Sequence, residues 1–203
     1  MEHIDKVVYI NLDRRPDRRQ DMEEELTRIG VPIEKRVRLS AVEQSPGWIG
    51  CSKSHQQVLR MAKDSGWANV LVLEDDFMSI VPSEELNNEL RTFLESGTEY
   101  DVAFLSYNLH QEEPWNEQMG KTRNCQTASG YLVHSRFYDS LLQNLTEAVA
   151  LSEKYPSHHW LYANDQYWKK LQETHIWLFF RKRLGKQRPG FSDLGGCLVD
   201  RGL

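Results

Sequence analysis

Runs of β-branched and aromatic residues alternate with helical periodicity along the first half of this chain, and that alternation restricts what it can fold into. Lys6–Leu12 (KVVYINL) reads as a buried strand. Pro16 suits a first helical position, Met22, Leu26 and Ile29 recur at helical spacing, and Gly30 is a stop, so the pattern predicts a helix over 17–29. A short strand is expected over 33–39, a loop over 43–50, and a second helix from Cys51 to Ser65, closed by Gly66. Asn69–Glu74 (NVLVLE) is the clearest buried strand. Ser83 reads as the N-cap of a helix through about Ser96, with Glu84 and Glu85 at its positive end. Strands over 101–107, 130–134 and 175–180 and helices over 135–151 and 161–173 complete the reading. This order predicts an α/β domain with a mostly parallel, Rossmann-like sheet flanked by helices, parallel at least in its first half.

At about 150 residues per domain, 203 residues make one domain. The formal net charge of −5 excludes a generic basic nucleic-acid binder, so no nucleic-acid partner is expected. The charge is uneven. Residues 41–180 carry ten basic and nineteen acidic groups, whereas 181–203 carry six basic and two acidic. Apolar runs such as Val70–Leu73 and Ile176–Phe180 are too short to span a bilayer, so no transmembrane segment is expected. The first residues, Met1 to Lys6, do not read as a secretory leader. Cys51, Cys125 and Cys197 are odd in number and show no metal-ligand spacing, which points to a reducing, cytoplasmic setting.

Ligands of such sheets bind beyond the carboxyl ends of the strands, so the residues that follow each strand are the candidates. After the first comes Asn11 to Arg19, where Asn11, Asp13 and arginines such as Arg15 suit a nucleotide; the plainer reading is a solvated, self-paired charge run. Neither the dinucleotide glycine fingerprint nor a P-loop is present. After Asn69–Leu73 come Glu74, Asp75 and Asp76, whose mutual repulsion a cation would relieve, and an all-oxygen set favours Mg²⁺ or Mn²⁺ over zinc. Gly50 to His55 is expected to open a helix, so Ser54 and His55 could meet a ribose or phosphate there, and Cys51 reads as a small packing residue. The polar stretch Asn108–Asn124 is long enough for a lid or binding loop, and Trp115 within it could stack on a sugar.

Together these residues resemble glycosyltransferase family 25, which includes bacterial lipooligosaccharide galactosyltransferases and procollagen galactosyltransferases. The matching pieces stand in the family's order: Tyr9 to Arg18 with Asn11-Leu12-Asp13-Arg14-Arg15-Pro16, then Gly50-Cys51 with Ser54-His55, then Val70 to Asp76, then Thr127 with Gly130-Tyr131-Leu132, then Asp165, and finally Gln187 with Ser192-Asp193.

The resemblance implies a GT-A-like single domain, with 1–107 as the nucleotide-sugar half and 108–203 as the acceptor half with a basic tail. It implies a UDP-sugar donor, UDP-galactose or UDP-glucose, and a glycan, lipid-linked or protein acceptor. Glu74-Asp75-Asp76 would be the counterpart of the DXD metal motif, with Asp76 and Glu74 as ligands of Mn²⁺ or Mg²⁺ and Asp75 beside the donor. Inverting transfer needs a base; Asp165 is assigned that role, with Asp193 in reserve. Asn11, Asp13, Arg15, Ser54 and His55 would hold uridine and ribose, Thr127 and Tyr131 would lie near the donor sugar, and Lys186 and Arg188 near the diphosphate. Two rivals stand beside this reading: a metal-dependent nucleotidyl- or phosphoryl-transfer enzyme, and a non-catalytic glycan-binding module on the same scaffold.

Overall fold

The computed structural model describes residues 1–192 and 197–199. Its centre is a six-stranded sheet built on β1 (Lys6–Asn11), β2 (Arg36–Ser40), β3 (Asn69–Glu74), β5 (Val102–Pro114), β6 (Met119–His134) and β7 (Trp177–Phe180), in the order β2-β1-β3-β6-β5-β7. β1 runs parallel to β2 and β3, and β5 runs parallel to β7. Only β6 is inverted within this sheet, antiparallel to β3 and β5, so the mostly parallel arrangement expected from the sequence is present with one reversed strand.

The strands are apolar on both faces because each face is covered. Alternate residues of β1 and β3 divide between two cores: Val7, Tyr9, Leu71 and Leu73 face one, and Val8, Ile10, Val70 and Val72 the other. On the first face lie α1 (Pro16–Arg28), through Met22 and Leu26, and α3 (Ser83–Glu95), through Leu86, Leu90 and Phe93. On the second lie α2 (Gly47–Asp64), through Val58, Leu59 and Ala62, and α4 (Tyr138–Lys154), through Leu141 and Leu145. Each such side chain taken fully out of water contributes roughly 1.5–3 kcal/mol before entropy is counted.

The structure corrects several local expectations. The second helix starts at Gly47, so Cys51 and Ser54 sit inside it rather than at its open N-terminus. Its early start rests on a close approach: a Cβ on Gly50 would lie 2.2 Å from the Val42 carbonyl oxygen. Asn108–Asn124 is no loop. It forms the outer part of the β5–β6 hairpin, with β5 reaching Pro114 and β6 beginning at Met119. Beyond Leu109 this arm of β5 is largely exposed and pairs with β6, and Thr122 Oγ1 donates to the Gln111 carbonyl at 2.8 Å. An arm wetted this way needs no apolar alternation, so its strand character does not show in the sequence. The helix expected over 161–173 is three single turns, α5 (His159–Tyr162), α6 (Asn164–Tyr167) and α7 (Lys169–Gln172), with Ala163 extended between the first two. Ser83 is the first helical residue of α3 rather than its cap, which is Pro82.

Two short strand pairs stand outside the main sheet. β4 (Phe77–Ser79) pairs antiparallel with β8 (Gly185–Gln187), and β9 (Gly190–Ser192) with β10 (Cys197–Val199). The first pair matters most, because it ties the basic tail to the residues just after the carboxylate run.

Candidate active site

β3 carries Glu74 to its end with five buried residues behind it, so the chain that follows starts from a fixed point. Asp75 and Asp76 form the turn into β4. The amide N–H of Arg188 donates to the Asp76 carbonyl at 2.6 Å, which closes the turn from the tail side.

Asp75 accepts from two groups brought by the first strand and helix. Asn11 Nδ2 donates to its Oδ2 at 2.7 Å, and Arg18 Nη1 to its Oδ1 at 2.8 Å. Asn11 is in turn fixed by Arg38, whose Nη2 donates to Asn11 Oδ1 at 2.9 Å. Burial raises the Asp75 carboxyl above its ordinary range, against the pull of Asn11 and Arg18.

Asp76 is less well satisfied. Arg18 Nη1 stands 3.5 Å away and Gln187 Nε2 donates to Oδ2 at a long 3.4 Å, while Oδ1 is buried without a hydrogen-bond partner. Burial, and after it repulsion by Glu74, pushes this carboxyl up to about 7.

Glu74 points toward α2. Its Oε1 lies 3.2 Å from His55 Nε2 and 3.6 Å from Cys51 Sγ. The other ring nitrogen of His55 is 2.8 Å from the hydroxyl of Tyr131 on β6, and the two rings stack with centroids 5.7 Å apart. His55 and Tyr131 are both fully buried.

Asp165 approaches the same region from α6. Its Oδ2 accepts the backbone N–H of Thr127 at 3.2 Å. Thr127 has a φ of 85°, the left-handed region that a β-branched residue seldom enters. Burial raises the Asp165 carboxyl most, and the charge of Glu74 adds to it. The electrostatic reach of Asp165 extends to Cys51 as well.

The structure therefore gathers Asn11, Glu74, Asp75, Asp76, His55, Tyr131, Thr127 and Asp165 around one end of the sheet. Other expected residues sit differently. Ser54 is fully buried, accepts from the Val42 N–H and donates to the Gly50 carbonyl, both at 2.8 Å, so its hydroxyl braces the preceding loop instead of facing a ligand. Tyr131 supports His55 from below the surface. Asp13 is exposed and accepts from Arg38 and Ser40. Arg15 forks onto Asp17, and its carbonyl accepts from Asn11. Lys186 lies in β8 opposite Met78, and the Arg188 guanidinium reaches Asp21 at 3.1 Å. Asp193 lies outside the described residues.

Two residues without an assigned role prove central: Arg18, which neutralises the aspartates and also donates to the Phe191 carbonyl, and Gln187. Arg18 follows Pro16 in the first turn of α1, and both Arg18 and Gln187 stand in the matching pieces that carry the resemblance, where neither was given a role. A separate groove of about 820 Å³, lined by Glu84, Glu85, Glu89, Gln118 and Arg181 among others, contains none of the strand-end carboxylates.

Comparison with known proteins settles the fold. No protein-family model matches the chain, and no curated sequence matches it significantly. The structure superposes on mannose-1-phosphate geranyltransferase from Thermus thermophilus with a TM-score of 0.53 at 12% identity, covering 90% of this chain and 73% of that one. It superposes on the glycosyltransferase GlyE of Streptococcus pneumoniae with a TM-score of 0.52 at 10% identity, covering 88% of this chain and 45% of GlyE. The fold is GT-A-like. The GT-A-like chain thus spans less than half of GlyE. No helix among the chain's described residues is long and apolar enough to cross a membrane.

Proposed function

We propose that this chain is a metal-dependent glycosyltransferase of the family 25 type, moving a hexose, galactose or glucose, from a UDP-sugar to an acceptor hydroxyl with inversion. The observation that carries the reading is the carboxylate run Glu74-Asp75-Asp76 at a strand end of a GT-A-like sheet, with Asp76 Oδ1 buried and without a hydrogen-bond partner and Asp165 close enough to feel the charge of Glu74.

The donor set fits a hard divalent cation. Asp76 Oδ1 is buried and unpartnered, and Arg18 alone leaves the Asp76 carboxyl far above its ordinary range. Asp76 and Glu74 would hold Mn²⁺ or Mg²⁺ through oxygen, as such ions require. When bound, the ion supplies positive charge against the diphosphate leaving group.

The chain's own residues do the rest. Asn11, Asp13 and Arg15, at the end of β1, receive the nucleotide, and His55 and Ser54 hold Glu74 and the neighbouring loop in place behind it. Thr127 and Tyr131 line and brace the sugar side, while Lys186 and Arg188 bring positive charge from the tail. Asp165 accepts the acceptor's hydroxyl proton as the new bond to the anomeric carbon forms, the bond to the phosphate oxygen breaks, and UDP departs. A carboxylate with a raised pKa is the better base for this step.

The test is product release from a panel of nucleotide sugars with Mn²⁺, water serving as acceptor. Release of UDP supports the proposal. Release of UMP and a sugar 1-phosphate, from cleavage between the two phosphates, identifies nucleotidyl or phosphoryl transfer, and glycan binding without any turnover identifies a binding module.

A further inference from the structure

We propose that Cys51, His55 and Glu74 form a second cation site, one that takes zinc-class ions and is distinct in chemistry from the all-oxygen position at Asp76. Cys51 and His55 are four residues apart on α2 and so share one helical face. β3 brings Glu74 against that face. One ligand atom from each residue lies within 4.8 Å of the other two, with Nε2–Oε1 at 3.2 Å and Sγ–Oε1 at 3.6 Å. Zinc bonds of about 2.3 Å to sulfur and 2.0–2.2 Å to nitrogen and oxygen, at tetrahedral angles, separate neighbouring ligand atoms by roughly 3.3–3.6 Å. The two edges that meet at Glu74 Oε1 therefore match those of such a polyhedron.

The surroundings suit a metal as well. His55 is oriented by the Tyr131 hydroxyl on its far nitrogen. With an ion bound, Nδ1–H would donate to Tyr131 and the lone pair of Nε2 would face the ion, the outer-sphere arrangement that metal-bound histidines commonly have. His55 is fully buried, whereas the Glu74 side chain is 22% exposed, so an ion has a way in from the carboxylate side. A thiol and an imidazole select zinc-class ions, which magnesium and manganese do not rival at such ligands. The thiol of Cys51 is held protonated by burial and by Glu74, Asp165 and Asp76, so binding releases its proton.

Glu74 belongs to both donor sets. Zinc bound by Cys51 and His55 would keep Glu74 turned toward α2, so occupancy of this site opposes magnesium or manganese binding at the strand end.

Cobalt(II) is the probe, added to the whole chain after chelator treatment and with no nucleotide present. The expected result is a tetrahedral visible spectrum with a thiolate-to-cobalt charge-transfer band. Cys51→Ser should lose that band and weaken zinc binding by at least about tenfold in calorimetry, a loss of the size that disturbing a metal site brings. Cys197→Ser, altering the exposed thiol, should keep both. An octahedral spectrum without charge transfer, or a band unchanged in Cys51→Ser, overturns the proposal. Because no sugar donor enters the experiment, its failure is separate from failure of the transferase reading.

Discussion

Arg18 Nη1 donates to Asp75 Oδ1 at 2.8 Å, joining the first helix to the carboxylate turn 57 residues later. Both side chains are largely buried, at 17% and 10% exposure. Removing one partner of such a pair strands the other charge. Arg18→Gln should lower stability by about 2 kcal/mol in chelator at pH 8. Denaturant titration with and without Mn²⁺ checks this, and the deficit should shrink when the ion takes over neutralisation. An equal deficit in both conditions would count against a cation at this turn.

Asp76 predicts a pH dependence. Its carboxyl is raised from 3.8 to about 7 in the folded protein. The folded state therefore holds a proton that the unfolded state has lost across that window, and stability falls as pH rises through it. The favourable contribution is complete below 3.8 and gone above about 7. Asp76→Asn removes the titration. In chelator the variant should gain on the native chain between pH 4 and 7 and be more stable by about 2 kcal/mol at pH 8. The same substitution should abolish the thermal shift given by Mn²⁺ with UDP. A stability gap that is flat with pH would refute the assignment.

Asp165→Asn should leave the melting temperature nearly unchanged, because the amide oxygen still accepts the Thr127 N–H. Transfer should fall by about 10²-fold or more if Asp165 is the base. In the native enzyme the rate should drop on acidification, with an apparent pKa above the ordinary carboxylate value, since the base must be ionised. Transfer near the native rate would dismiss Asp165 from the role.

Phe77 is clamped between two glycines. A Cβ on Gly130 would lie 2.6 Å from its ring, and one on Gly185 would lie 2.2 Å from it. Gly185→Ala should cost about 1–3 kcal/mol through overpacking. It should also weaken Mn²⁺-dependent UDP binding, because Phe77 adjoins Asp76. Calorimetry on the variant would separate the two effects, and unaltered UDP binding would show the turn to be independent of the clamp.

The buried strands were legible because covering a strand on both faces demands continuous apolar sequence, as in Asn69–Leu73. The strand-end rule then pointed straight to Glu74, Asp75 and Asp76. What was hidden had physical reasons. The β5–β6 arm is wetted and lacks alternation. β4 and β8 are three residues each, too short for any period. Arg18 lies in a charge-rich helix where nothing in the spacing separates the residue that turns inward from its neighbours. Ser54 and His55 were noticed for the right location and given the wrong posture, because a helix start misplaced by four residues turned an internal brace into an apparent anion site.

The pairing of β4 with β8 has a consequence for synthesis. A ribosome delivers β1, β2 and β3, with the acidic turn that follows them, long before Gly185 emerges. Until then Phe77 lacks its cover, Asp76 lacks Gln187 and the Arg188 amide, and Arg18 lacks the Phe191 carbonyl. The nascent chain can thus acquire its scaffold early while the carboxylate turn stays open. Assembly of the proposed metal position waits for a segment more than a hundred residues downstream of the acidic turn.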